Sequence, residues 1–143
     1  MKLNRKVIKV PDAMCEAYNY DKPASFSRGM EVSDDKHKWV FVSGTASIGV
    51  DGKTMHIGNF EQQAYYAFNN VTKVLKAGGV TWNDVVKVTI YLRDMDRDYH
   101  TFNKVRKDFF SSVEVNPYPA STCVEARLCR SDLLIEMEVL AIT

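Results

Sequence analysis

Two runs of alternating residues near the C-terminus constrain the fold more than any other part of the chain. From Leu133 to Ile142, one face is wholly apolar and the opposite face carries two carboxylates, Glu136 and Glu138. Residues 121–129 alternate as well, so the pattern predicts two sequential β-strands. A carboxylate among apolar neighbours is costly to bury unless it is paired or protonated. The two glutamates are therefore the first candidates for chemistry.

The clearest helix is predicted between Asn59 and the pair Gly78-Gly79. Asn59 suits an N-cap with Gln62 at the third helical position, and glycine readily adopts the left-handed conformation that ends helices. Apolar or small residues recur at helical spacing on one stripe. They are Phe60, Ala64, Ala67, Phe68, Val71, Val74, Leu75 and Gly78.

The remaining elements complete an α+β pattern. Strands are predicted near the N-terminus, over residues 26–32, over residues 39–43 with Gly44 closing the run, and over residues 85–92. A second helix is predicted to start near Asp96 or Asp98 and to run to about Phe110. Its buried stripe is Tyr99, Phe102, Val105, Phe109 and Phe110. This order favours a two-layer domain with a mixed sheet and both helices on one face.

Composition narrows the class of protein. A length of 143 residues predicts one domain over residues 1–143, and a net charge of +1 gives no general field for nucleic acid or membrane. Cys15, Cys123 and Cys129 form no close pair, and on one strand the last two would lie about 20 Å apart. Reduced thiols, and hence a cytoplasmic protein, are the simplest interpretation. The three histidines show no metal-ligand spacing, and no phosphate-binding glycine motif is present, so neither metal nor cofactor is expected.

Several short motifs, taken in order, resemble the RidA/YjgF family. They are Val42-Ser43-Gly44, Gly58-Asn59, Asp84-Val85-Val86-Lys87, Tyr91-Leu92-Arg93-Asp94-Met95, Pro119-Ala120, Val124-Glu125 and Glu136-Met137-Glu138. The resemblance covers about Phe26 to Ile142. It implies a chorismate-mutase-like domain, a homotrimer with clefts between subunits, and small carboxylated metabolites as ligands. Glu136 falls on the family's catalytic carboxylate.

Two positions depart from the imine and enamine deaminases of that family. Those enzymes typically carry Pro-Ala-Arg-Ser where this chain has Pro119-Ala120-Ser121-Thr122. Ser121 therefore stands at the arginine that grips the substrate carboxylate, and a serine offers no bidentate cationic fork. Phe26 stands at a family tyrosine.

A second resemblance is to the catalytic part of chorismatases, which remove pyruvate from chorismate. It rests on residues 26–29, 43–48 and 56–59, on Gln63, and on the run from Cys129 to Glu136. It implies Glu136 as the catalytic glutamate, Cys129 as a residue that directs the reaction branch, and Arg130 as a carboxylate ligand. The additional N-terminal domain of those enzymes has no counterpart in this chain.

Each candidate has a structural alternative. Glu136 between Leu134 and Ile135 suits general acid or base work, but an edge-strand glutamate paired with a cation is the alternative. Arg127 and Arg130, with Arg28 and Arg93, are either substrate ligands or solvated surface charges. The backbone N–H groups at Ser43-Gly44 hold a substrate oxygen or merely form a tight turn, and Ser121 lines a pocket or merely packs. Cys129 lines the same cavity or is an inert thiol.

Two classes of function follow. The first is a cofactor-free enzyme that hydrolyses or deaminates a carboxylated imine or enamine, or cleaves a chorismate-like enol ether. The second is a non-catalytic, small-metabolite-binding or chaperone-like module, which the serine at position 121 keeps open.

Overall fold

A computed structural model describes residues 2–143. These residues form six strands, two α-helices and two short 3₁₀ turns, the turns at Ala17–Asn19 and Trp82–Asp84. The strands are β1 (Asn4–Ile8), β2 (Gly29–Ser33), β3 (Lys38–Ala46), β4 (Val85–Leu92), β5 (Ala120–Glu125) and β6 (Ile135–Ile142). The helices are α1 (Phe60–Ala77), between β3 and β4, and α2 (Met95–Ser112), between β4 and β5.

One mixed sheet holds all six strands in the order β1-β2-β3-β6-β4-β5. Neighbours are antiparallel except for β4 and β5, which run parallel. A parallel pair needs a long crossover, and α2 provides it. The crossover leaves β5 at one edge of the sheet and lets β6 insert between β3 and β4. The predicted α+β class, with both helices on one face, is confirmed.

The core lies between the sheet and the helices. Helix α1 packs on β3, β6 and α2. At the centre of the core, the Phe68 ring lies 4.6 to 6.3 Å, centroid to centroid, from four other aromatic rings. Those rings belong to Trp82, Phe102, Phe109 and Phe110. The helices leave the opposite, outer face of the sheet uncovered.

Helix α1 forms as predicted. The Asn59 side chain accepts a hydrogen bond from the Gln62 amide at 3.0 Å, and Gly78 is the C-cap. The apolar stripe is buried, and two polar residues, Gln63 and Asn70, are buried with it. The Asn70 amide nitrogen donates to the carbonyls of Ala46 and Ile48, both at 3.0 Å. Long-range backbone partners of this kind leave no trace in a local pattern.

Two predicted details of β5 and α2 are wrong. Strand β5 ends at Glu125, so Arg127 and Cys129 lie in the loop that leads to β6. Tyr99 is 44% exposed, and Asp98 takes the buried position at the start of α2. The Asp98 carboxylate is paired with Arg97, Nη2 to Oδ2 at 2.6 Å, which allows its burial.

Strand β3 does not close at Gly44 but continues to Ala46. Its register against β6 shifts between Val42 and Thr45, where Val42 pairs with Val139 and Thr45 with Met137. The extra residue is a β-bulge, and it lets both Val42 and Thr45 face the core.

Candidate functional site

Glu136 lies on the outer face of the sheet. Its neighbours Ile135 and Met137 are fully buried against the helices, so strand alternation turns the Glu136 side chain away from them. The register places Glu136 opposite Ala46 of β3 and Tyr91 of β4. The glutamate is therefore central in the sheet and is not on an edge strand.

Gly44 provides the space for the Glu136 carboxyl. A Cβ atom built on Gly44 would lie 3.1 Å from the Glu136 Cδ and closer still to its Oε1. Real Cβ contacts essentially never fall below 3.0 Å, so any larger residue at position 44 would displace the carboxyl. The glycine predicted as a site residue thus has a concrete steric role in the β3 bulge.

Burial raises the pKa of the Glu136 carboxyl, and repulsion from Glu138 raises it further, while the positive charge of Arg28 opposes both effects. Among residues 2–143, no lysine or arginine nitrogen lies within 4 Å of this carboxyl, and no group donates a hydrogen bond to it. Glu138, by contrast, accepts a hydrogen bond from the Tyr91 hydroxyl at 2.7 Å. A carboxyl with a raised pKa and free oxygens is suited to take up and give back protons.

Arg28 is the cation that acts on Glu136, and it is itself only 2% exposed. Its Nε donates to the Cys15 carbonyl at 3.1 Å, and its Nη2 donates to the same carbonyl and to the Tyr20 hydroxyl. Its guanidinium lies 5.5 Å from the Phe26 ring centroid. These contacts hold Arg28 beside the site. In the sequence, Arg28 was one of four candidate arginines and belonged to the motif that begins at Phe26.

Tyr20 links two arginines. Its ring centroid lies 5.3 Å from the Arg28 guanidinium carbon and 4.7 Å from that of Arg130. The Arg130 Nη1 also donates to the Gly52 carbonyl at 2.8 Å. Of the arginines predicted from sequence, Arg28 and Arg130 are thus brought to the same tyrosine. Tyr20 itself was not predicted, because it lies in a loop without periodicity.

Arg93 holds the loop between β5 and β6. Its Nε donates to the Leu133 carbonyl at 2.6 Å, and its Nη2 donates to the carbonyls of Arg130 and Leu128 at 2.5 and 3.5 Å. Its guanidinium is therefore hydrogen-bonded to backbone carbonyls and holds the loop in place. Gln63 also holds this segment, because its side chain accepts a hydrogen bond from the Leu134 amide at 2.9 Å.

Cys129 and Arg127 are both exposed in this loop, outside any strand. No shared contact joins them to the Glu136 carboxyl in the chain as described.

Ser121 lies on the other side of the sheet from Glu136. The Arg106 side chain of α2 donates from Nη1 to the Ser121 Oγ at 2.9 Å, which places the serine on the helix side of β5. Glu136 points to the outer face. A single copy of the chain therefore does not bring these two predicted residues together.

Each face of the sheet carries a groove. A groove of about 560 Å³ lies on the outer face, and Phe26, Ser43, Phe41 and Glu138 are among the residues that line it. A second groove, of about 400 Å³, lies between α2 and β5 on the helix side and includes Ser121.

Neither a metal centre nor a membrane span is found in the described part of the chain. No group of three or more His, Cys, Asp and Glu side chains within residues 2–143 is arranged to hold a metal ion. Over the same residues, no helix has the length and hydropathy required to cross a lipid bilayer.

Known proteins resemble this chain over most of its length. The family model described as endoribonuclease L-PSP matches residues 20–143. A RutC family protein of Pyrococcus horikoshii is 35% identical over 105 residues, covering 72% of this chain and 78% of the relative. The 2-iminobutanoate/2-iminopropanoate deaminase of Dermatophagoides farinae is 32% identical over 103 residues, covering 72% and 77%.

Solved structures share the fold. The crystal structure of Escherichia coli TdcF with bound serine matches with a TM-score of 0.78 and 25% identity. That match covers 96% of this chain and 98% of TdcF.

Proposed function

The chain belongs to the RidA/YjgF family, whose matching family model is described as endoribonuclease L-PSP, and on this premise we propose that it hydrolyses small carboxylated imines or enamines without a cofactor. The observation that carries the proposal is the half-buried Glu136 carboxyl, with its raised pKa and its free oxygens against Gly44. Relatives named as 2-iminobutanoate/2-iminopropanoate deaminases support the substrate class. The serine bound to TdcF, an amino acid with a free carboxylate, supports a carboxylated ligand.

Glu136 would transfer protons in both halves of the reaction. Starting from a protonated imine, its carboxylate takes a proton from water as the water oxygen bonds to the imine carbon. The same carboxyl returns the proton to the nitrogen of the carbinolamine, and the carbon–nitrogen bond breaks. The hydroxyl proton leaves with the departing ammonia as ammonium, and a 2-oxo acid remains. A raised pKa suits both steps, because the group must accept and then release one proton.

We further propose that the active cleft lies between subunits of a homotrimer, as the family resemblance implies. Ser121 lies on the helix side of the edge strand β5, and Glu136 lies on the outer face. A second copy is needed to bring both to one ligand. Sedimentation at micromolar concentration tests the assembly, and a monomer would contradict it.

Turnover of 2-iminobutanoate tests the activity. The imine is generated in situ by an amino-acid oxidase, and 2-oxobutanoate formation is measured above the uncatalysed rate. Loss of a general acid–base group lowers the rate by about 10²- to 10⁴-fold, so Glu136→Gln is expected to fall within that range. Glu61→Gln, an exposed carboxylate on α1, is the matched control. Full activity in Glu136→Gln would overturn the assigned role.

A chorismate-like enol ether is the second candidate substrate. The chorismatase motifs support it, as does the pair of arginines, Arg28 and Arg130, that both lie against Tyr20, since two cations suit a dicarboxylate. Pyruvate release from chorismate by the purified protein tests it. Absence of release would remove this substrate and leave imine hydrolysis.

A non-catalytic metabolite-binding module is the remaining alternative, because Ser121 stands where the deaminases carry arginine. The Glu136→Gln variant separates the two classes. An enzyme loses turnover in this variant, whereas a binding protein has no turnover to lose and keeps its affinity for 2-oxobutanoate.

A further inference from the structure

The groove on the helix side of β5 is lined by an arginine, Arg106, that lies against Ser121. Ser121 stands where the deaminases of the family carry the arginine that grips a carboxylate. In this chain an arginine from another element, Arg106 of α2, donates from Nη1 to the Ser121 Oγ at 2.9 Å. A guanidinium is therefore present at this position although the strand no longer supplies one.

The Arg106 side chain is held in place. Its Nη2 donates to the Asn103 Oδ1 at 2.6 Å, and its guanidinium carbon lies 4.9 Å from the Phe102 ring centroid. A guanidinium has five N–H donors, and these two bonds leave three of them free. Preorganisation of this kind lowers the ordering cost when a planar anion binds.

The positive charge of Arg106 is not neutralised. No carboxylate of residues 2–143 lies within 4 Å of its guanidinium nitrogens, and the two ion pairs found lie elsewhere, at His37 with Asp34 and at Arg97 with Asp98. The charge of Arg106 also acts on Cys123 of the same strand, where it opposes the rise in pKa that burial causes. A fixed guanidinium without a carboxylate partner, next to a cavity, is suited to bind an anion.

The groove around Arg106 is large enough for a small organic acid. Its volume is about 400 Å³, and Lys107 is among the residues that line it. Phe110 and Tyr118, whose rings stack with centroids 5.9 Å apart, form an apolar wall. Apolar walls with a few fixed polar groups are typical of small-molecule sites.

We propose that Arg106 binds the substrate carboxylate in place of the family's strand arginine, and that Ser121 is a positioning residue that orients the guanidinium. The inference rests on the proposed imine hydrolysis. It assigns the carboxylate-binding role to a helix residue that the motif match does not include. Because an arginine at position 121 would compete for the same space, the serine and Arg106 form a matched pair.

The test compares Arg106→Met with Lys104→Met, a control that removes an exposed charge from the same helix. Hydrogen bonds from a charged fork contribute enough that their loss is expected to raise KM for 2-iminobutanoate by about 10- to 100-fold. The change in kcat is expected to be smaller, because the interaction is present in both ground and transition states. Lys104→Met is expected to keep the wild-type KM.

The double variant Arg106→Ser with Ser121→Arg moves the guanidinium back to the strand and is expected to recover most of the lost affinity. A structural role alone would not be rescued in this way. Thermal unfolding of each variant shows that the fold is intact.

Binding of 2-oxobutanoate, measured by calorimetry, separates this inference from the proposed function. Unchanged KM and unchanged binding in Arg106→Met would overturn the role of Arg106 while imine hydrolysis stands. A wild-type protein that binds 2-oxobutanoate through Arg106 but has no turnover would overturn the enzyme and keep the site. Absence of both turnover and binding in the wild type would overturn both.

Discussion

Replacing Gly44 with alanine tests whether the rate of the reaction depends on the position of the Glu136 carboxyl. The new Cβ would lie 3.1 Å from the Glu136 Cδ and would overlap Oε1, so the carboxyl has to withdraw by at least about 1 Å to relieve the overlap. Misplacing a reacting group by about 1 Å can lower the rate by about 100-fold. We therefore expect kcat for 2-iminobutanoate to fall by about 100-fold in Gly44→Ala.

The same change is expected to leave stability nearly unaltered. Gly44 does not have a positive φ, so alanine fits the backbone and reduces the entropy of the unfolded chain by about 0.4–1 kcal/mol. A displaced Glu136 rotamer costs about 0.5–1.5 kcal/mol, which offsets the gain. Thermal unfolding would then show a midpoint close to that of the wild type.

A double-mutant cycle identifies the cause. If Gly44→Ala acts through Glu136, it has little further effect on kcat in the Glu136→Gln background. Wild-type kcat in the single variant, or a full additional loss in the double variant, would refute the steric reasoning.

Further changes test the electrostatics, the core and the loop. Burial raises the Glu136 pKa, so ionisation of this carboxyl destabilises the folded state. The folded protein is not penalised below the ordinary carboxyl pKa, and it loses stability as the pH rises from there through the raised pKa of Glu136. Glu136→Gln should therefore raise the melting temperature at pH 8 and change it little near pH 4; an equal shift at both would contradict this. Glu138→Gln removes a repulsion that raises the Glu136 pKa, so the acid limb of the pH–rate profile should move to lower pH, and an unmoved limb would argue against Glu136 as the titrating group. Phe68→Ala should cost about 3–5 kcal/mol in denaturant unfolding, since the ring is fully buried among four others. Arg93→Met should accelerate hydrogen exchange in residues 128–134 but not in α1, because it releases three carbonyls of the loop.

Local signals allowed most of the fold to be predicted. The cap at Asn59 and the Gly78-Gly79 stop act within a few residues of the helix they bound, and α1 has those limits. The apolar face of β6 was equally readable, because alternation is a property of the strand itself. The bounds of β5 were less accessible. Alternation continues to Cys129, but the chain leaves the sheet after Glu125, and Arg93, which directly follows β4, holds the loop beyond that point.

The candidate site was predictable in part. Glu136 and Gly44 were both identified, and the structure places them in contact. Tyr20 and Arg106 were not identified, because the contacts of each depend on tertiary packing: Tyr20 lies against Arg28 and Arg130, and Arg106 lies against Ser121 on the helix side of β5. The separation of Ser121 from Glu136 was not visible either. It depends on the pairing register, which sets Ser121 beside the buried Val88 and Glu136 beside Tyr91, and the register between strands distant in sequence is not visible in a local pattern.

The bulge in β3 makes the length of that strand as important as its residue types. Val42 and Thr45 are three positions apart, yet both face the core, because one extra residue resets the alternation between them. Deleting Gly44 would remove the extra residue and restore regular pleating, with Thr45 and Ala46 still on their present faces. The core side of the strand would therefore survive the deletion, whereas the segment beside the Glu136 carboxyl would change. A protein without Gly44 is expected to fold and to lose turnover, which circular dichroism and the imine assay would show.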